Sequence, residues 1–293
     1  MQSAVVSLVM AAVRKVPVGD QRGVMRRGAC FSFGMALLAA LAGEAAADAV
    51  RPAPTDWTLT LGVEGRLMPS YDGSDRYVLR PIPLIDLRRA GTARSFSSSR
   101  DGASIGVFDN GNLRVGLTGK VRLPRRENDD ADLRGLGNVD WAFEAGVFAE
   151  YYPVNWLRTR IDVRRGFGGH HGVVGDLSAD VVMPVSPRLT LSGGPRLTAV
   201  SAAANDPYFS INAAQSAASG LPVYTASGGL RSYGAGGMAR YEWSPRWATH
   251  FFAEYEHLTG SAAQSPLVTQ RGNPNQVQFG LGATYSFDVP GLW

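Results

Sequence analysis

Apolar and polar residues alternate with a period of two over most of the chain beyond residue 56. Trp57, Leu59, Leu61, Val63 and Leu67 share one face of an extended segment, and Thr58, Thr60, Glu64 and Arg66 share the other. The pattern recurs at Leu113, Val115, Leu117, Val121 and Leu123 against Arg114, Thr118, Lys120 and Arg122. It recurs again at Val139, Trp141, Phe143, Ala145, Val147 and Tyr151 against Asp140, Glu144 and Glu150. Leu157, Ile161 and Val163 face away from Arg158, Arg160, Asp162 and Arg164. Val277, Phe279, Leu281, Ala283, Tyr285 and Phe287 face away from Gln276, Gln278, Thr284 and Ser286. Such runs are longer than the ~5–6 residues of an ordinary strand and match the ~9–11 that cross a bilayer at a tilt. A soluble sandwich alternates too, with its polar face in bulk water, whereas a membrane barrel turns that face to a lumen. Strand length favours the barrel.

The connections sharpen this expectation. Asp109 to Asn112, Pro153 to Asn155, Pro184 to Pro187 and Ser244-Pro245 are short. Arg125 to Asn138, Gly166 to Gly172, Ser201 to Gly229 and Gly260 to Pro274 are longer and glycine-rich or polar. Alternating short turns and long loops is the asymmetry of an outer-membrane barrel. Aromatic residues gather at the short-turn end, namely Trp57, Tyr151, Tyr152, Trp156, Trp243, Trp247 and Phe287, as an interfacial girdle. With both ends of the barrel periplasmic, an even number of strands must precede the Asn110-Gly111 turn. Two are evident at 57–67 and 77–88, so 92–108 is expected to hold two more, at 92–97 and 103–108. Strands at 113–123, 138–151, 156–166, 173–183, 188–200, 230–243, 246–259 and 275–287 bring the expectation to about 12. Within 77–88, Pro81 and Pro83 cannot donate ladder bonds, and a bulge is the expected remedy.

Before the alternation lies a leader. Arg26 and Arg27, an apolar stretch from Ala29 to Ala42, and Ala45-Ala46-Ala47 before Asp48 together read as a signal peptide with its cleavage site. Met25 offers a second start for translation. The expected organisation is thus a leader at 1–47, a short periplasmic segment at 48–56, an antiparallel transmembrane β-barrel at 57–287 and a tail at 288–293. The formal charge of +4 belongs largely to the leader. Beyond residue 47, 24 basic and 23 acidic side chains leave +1, so nucleic acid is not an expected partner. Cys30, the one cysteine, also falls in the leader, which removes thiol chemistry. Glycine, at 35 of 293 residues, exceeds its ~7% average, while 18% charged residues falls below the usual ~25%. A mean hydropathy of −0.08 is what regular alternation produces.

Candidate chemistry is sparse. Among the histidines, His250 falls on the lumen side, and His257 faces outward near a strand end without a hydroxyl partner. His170-His171 sits in a glycine-rich loop, where a solvated pair is the plain reading and a metal-ligand role the sharper one. Gly116-Leu117-Thr118-Gly119-Lys120 has the wrong spacing for a phosphate loop, and its Lys120 reads as a lumen lysine. Arg158, Arg160 and Arg164 on one face could draw anionic solutes. The plainer reading is a packed salt-bridge network with Asp140, Glu144, Asp162, Glu150, Glu254 and Glu256. No catalytic residue, cofactor site or metal site is expected.

The residues also carry a resemblance. Pro69-Ser70-Tyr71-Asp72-Gly73-Ser74-Asp75 with Arg80-Pro81-Ile82-Pro83, Tyr208-Phe209, Gly220-Leu221-Pro222-Val223-Tyr224 with Gly228-Gly229-Leu230, and Tyr255-Glu256-His257-Leu258-Thr259-Gly260 are similar to segments of the MipA/OmpV family. So are Ser265-Pro266-Leu267-Val268 and the closing stretch from Asn275-Gln276 to Tyr285-Ser286-Phe287, although Asp288 to Trp293 runs past the aromatic strand end usual there. The resemblance implies a Gram-negative outer-membrane protein in contact with outer-membrane lipid and lipopolysaccharide. It also implies a non-enzymatic scaffold for peptidoglycan remodelling, with a lytic transglycosylase and a peptidoglycan synthase as partners. A small channel for hydrophilic solutes or antibiotics, or a surface adhesin, is the alternative.

Overall fold

A computed structural model describes residues 57–91 and 96–290. The expected leader and the 48–56 segment lie outside the described residues, as do 92–95 and 291–293. The strands are β1 (Trp57–Pro69), β2 (Tyr77–Arg89), β3 (Ala103–Asp109), β4 (Leu113–Arg122), β5 (Ala142–Val154) and β6 (Leu157–Gly168). They continue with β7 (Val173–Pro184), β8 (Leu189–Val200), β9 (Gly229–Glu242), β10 (Trp247–Leu258) and β11 (Asn275–Val289). These eleven form one sheet in the order β2-β1-β11-β10-β9-β8-β7-β6-β5-β4-β3. Every neighbouring pair is antiparallel, and β1 joins β11, so the two ends of the folded chain lie side by side.

Burial decides between the two architectures that alternation allows. On β6 the buried positions are Arg158, Arg160, Asp162 and Arg164, while Ile161 and Val163 are exposed. The same inversion holds on β1, where Thr58, Thr60 and Glu64 are buried and Leu61, Val63 and Leu67 exposed. A soluble sandwich buries its apolar face against a second sheet. Here the single sheet curls around its polar face and presents its apolar face outward, the arrangement that suits hydrocarbon as the outer solvent.

The short turns are where they were expected. At the β3–β4 hairpin, Gly111 takes φ 92°, a left-handed conformation open to glycine, and its N–H bonds the Asp109 carboxylate at 2.8 Å. The strand expected at 92–97 is not among the described strands: Phe96 and Ser97 belong to none, and 92–95 lie outside the described residues. Segment 96–102 instead turns inward, as set out below. As a result β2 and β3 stand at the two ends of the strand order. This also corrects the expected bulge. The β1–β2 register is unbroken from Trp57↔Arg89 to Pro69↔Tyr77, and β2 is an edge strand. Pro81 and Pro83 have the same parity, so both donor-less nitrogens can face the unpaired side, where a missing N–H costs the ladder nothing.

The long connections, expected as polar loops, carry a conventional apolar core. α1 (Ala202–Phe209), α2 (Ala213–Ser219), α3 (Gly260–Ala263) and α4 (Pro266–Arg271) pack there with two short 3-10 turns at Glu127–Asp129 and Ala131–Leu133. One cluster joins Val139, Phe209, Leu258, Ala262 and Val268. A second joins Tyr71, Leu133, Leu136, Ile211, Leu221 and Leu267. Together they make an ordered cap at the long-loop end.

Candidate functional site

The inward positions of β5, β6 and β7 build the site. Alternation sends Arg158, Arg160, Asp162 and Arg164 of β6 to one face, and register sets Glu150 opposite Arg160 and Asp180 opposite Arg158. Arg158, wholly buried, reaches Asp101 and Glu150 at 2.7 Å each and Asp180 at 3.3 Å. Arg160 holds Asp162 at 2.7 Å and also Glu150, with its guanidinium 4.2 Å from the centre of the Phe148 ring. Arg164 joins Glu144 at 2.9 Å to Asp176. Arg196 of β8 adds a pair with Asp180 at 2.5 Å. Arg158, Arg160 and Arg164, withdrawn from water, thus each find at least two carboxylates, which is what a buried ion pair requires to persist.

Segment 96–102 crosses this interior and ties its walls together. Arg100 pairs with Glu254 and lies 3.4 Å from Glu256, both on β10, and 3.5 Å from Asp176 on β7. Its carbonyl accepts from Lys120 Nζ of β4 at 3.3 Å. The adjacent Asp101 accepts from Arg158 of β6 and from the Ser98 backbone N–H at 2.9 Å. One short stretch is thereby fastened to four strands, by charge rather than by ladder bonds.

Of the expected lumen cluster, the structure brings Arg158, Arg160, Arg164, Glu144 and Asp162 into contact and places Glu254 on the Arg100 branch. Asp140 is a correction. It lies before β5 begins, its side chain is 78% exposed, and its partner is Arg126 at 3.7 Å. The alternation of β5 does not extend back to it. Asp101, Asp176, Asp180 and Arg196 were not anticipated; inward parity on β7 and β8 would have found the last three.

The histidine pair in the β6–β7 loop is divided. His170 is buried and sits 3.2 Å from Glu144, whereas His171 is exposed. His250 faces inward with Nε2 2.7 Å from Glu64. Its ring lies over Gly282, where an added Cβ would come within 2.4 Å, so glycine is needed at that position. Among the described residues, no group of three or more His, Cys, Asp or Glu side chains is placed to hold a metal ion.

At the short-turn rim, Tyr151, Trp156, Trp243 and Trp247 are exposed, and Trp57 and Phe287 are half-buried. Trp57 opposes Val289, and Phe287 opposes Leu59, so these residues stand at one level of the sheet. Tyr285 and Tyr241 join the ring: Trp247–Tyr285, Tyr285–Phe287 and Tyr241–Trp243 meet edge to face at 4.8, 4.6 and 4.6 Å.

In the cap, partial desolvation works against the half-exposed Asp72 carboxylate, but the Arg122 and Arg231 guanidinium groups more than offset it and hold its pKa below the usual carboxylate value. Burial pushes the Tyr71 phenol well above its ordinary value, with Asp132 and Asp130 adding to the shift.

Apolar side chains outside, balanced charges inside and aromatics along one rim define the wall of a membrane-spanning antiparallel β-sheet. The chain belongs to the family described as MltA-interacting protein MipA, whose model matches residues 61–287. No curated protein matches it. It is similar in outline to the COG4313 outer membrane channel from Pseudomonas putida F1, at 12% identity and a TM-score of 0.40, covering 83% of this chain and 100% of that one. It is similar also to the NanC porin, at 9% identity and a TM-score of 0.40, covering 78% and 98%. A third similar structure is described as a bacterial polysaccharide outer membrane secretin, at 9% identity and a TM-score of 0.41, covering 81% and 99%.

Proposed function

We propose that this protein is exported by its leader to the Gram-negative outer membrane and works there as a non-enzymatic, occluded β-barrel that presents its short turns to peptidoglycan-remodelling enzymes. The observation that carries the reading is the filled interior. Arg100 and Asp101 cross it, bound to β6, β7 and β10, and the cap lies over the long-loop end. A path for solute would have to break these pairs. What remains available for partners is the surface, and the family's description as an MltA-interacting protein supports a lytic transglycosylase as the partner class.

Two measurements test this. Purified protein in a planar bilayer is expected to be silent, and steady ohmic openings would replace the scaffold with the channel. A deletion of residues 97–101 is expected to introduce such openings. In lipid nanodiscs, the protein is expected to bind a purified lytic transglycosylase of the MltA type at micromolar concentration, and absence of binding overturns the scaffold role.

A further inference from the structure

The ion pairs of the interior do not engage every cation. Beside segment 96–102 lies a cavity of about 90 Å³, several times the ~10–15 Å³ that one water needs. Its wall carries five cationic side chains, Arg100, Lys120, Arg122, Arg164 and Arg231, against two carboxylates, Glu144 and Asp176. Arg122 leads from the wall into the cap, its guanidinium 3.7 Å from the centre of the Tyr208 ring.

Three of these cations are answered. Arg164 takes both wall carboxylates, Arg100 takes Glu254 with Asp176 and Glu256 near it, and Arg122 takes Asp72. Lys120 and Arg231 are not. The Lys120 ammonium donates to a single backbone carbonyl, that of Arg100. The Arg231 Nη1 is buried with no hydrogen-bond partner. Among the described residues, no carboxylate lies within the 4.0 Å ion-pair distance of either group. Two cationic residues on the wall of one small polar space are therefore without an ion pair. Counted with Glu254, Glu256 and Asp72, five carboxylates match the five cations, but only Glu144 and Asp176 line the cavity, and the oxygens of an anion accept from a cationic donor more strongly than water does.

We propose that this cavity is a binding site for one small oxyanion, of the size of inorganic phosphate or sulfate, held between Lys120 and Arg231. The anion's oxygens accept from Lys120 Nζ and from the Arg231 guanidinium, both residues being part of the cavity wall. Glu144 and Asp176 are drawn away from it by Arg164, which pairs with both, and by Arg100, 3.5 Å from Asp176. The site rests on the filled interior and on no partner protein.

The test uses the full chain purified in detergent micelles, with thermal unfolding followed as sodium phosphate or sodium chloride is added at equal ionic strength. A ligand that binds only the folded state raises the midpoint with saturation. Phosphate is expected to do so and chloride not. Arg231→Gln and Lys120→Gln are each expected to raise the half-saturating phosphate concentration at least tenfold. If a variant does not fold, the ³¹P line width of phosphate titrated with wild-type protein decides, with broadening expected and its reversal by sulfate. A response to phosphate no different from chloride, an unshifted half-saturation in the folded variants, or an unbroadened phosphorus line overturns the proposal.

Discussion

Arg158 holds three carboxylates at once and has no contact with solvent. Replacing it with leucine fills part of the space but leaves Asp101, Glu150 and Asp180 facing one another. Removing one partner of a buried pair costs about 3–5 kcal/mol, and Arg158→Leu is expected to lose at least that much in urea-induced unfolding from lipid vesicles; a loss below about 1 kcal/mol would mean that water screens the cluster. Asp72 gives a pH signature in the cap. Its folded pKa is lowered, so the stability it contributes is fully present above the ordinary value of ~3.9 and is lost as pH falls through the folded value. The difference in melting temperature between wild type and Asp72→Asn is expected to stay level from neutral pH to about pH 4 and to shrink below it. A difference that faded nearer neutral pH would show that the carboxylate is not held low.

At the scale of elements, the edge strand β2 makes the clearest prediction. If Pro81 and Pro83 blunt its free side, Pro81→Val with Pro83→Val restores two donors on an exposed edge, and such an edge pairs with a second chain. Light scattering in detergent is expected to show dimers or larger species, and an unchanged mass would place the prolines' nitrogens elsewhere. Most strands were legible because period two is a direct image of two unlike environments on the sheet faces. Alternation alone left open which face is buried, since it serves a sandwich too; the length of the runs and the pattern of short turns and long loops favoured the polar face inside. The expected strand at 92–97 came from counting parity rather than from residues, and Phe96 to Asp101 show no alternation to support it. Their role depends on partners such as Glu254 and Arg158, far off in sequence. The cap escaped notice for a related reason. Tyr71, Leu133, Ile211, Leu221 and Leu267 come from four separate connections, and no local pattern announces a core assembled from single residues.

For the whole molecule, the outward apolar face and the rim of aromatics set a depth in the bilayer. Trp156, Trp243 and Trp247 are exposed at the short-turn rim, where indole rings favour the interface. Brominated lipids are expected to quench their fluorescence more strongly when bromine is carried near the headgroup than near the chain ends. The reverse order would place the rim in the hydrocarbon. The charges of the interior were legible residue by residue on β6, yet their balance was not, because it requires Asp101 from segment 96–102 and Asp176 and Asp180 from β7.

Segment 96–102 belongs to the connection that leaves β2 at Arg89 and enters β3 at Ala103. Thirteen residues at ~3.3–3.6 Å each give it a reach of no more than ~43–47 Å. Were its ion pairs broken, it could swing aside but not diffuse away. Its return would be a first-order event, with a rate set by the length of the tether and independent of how much protein the membrane holds.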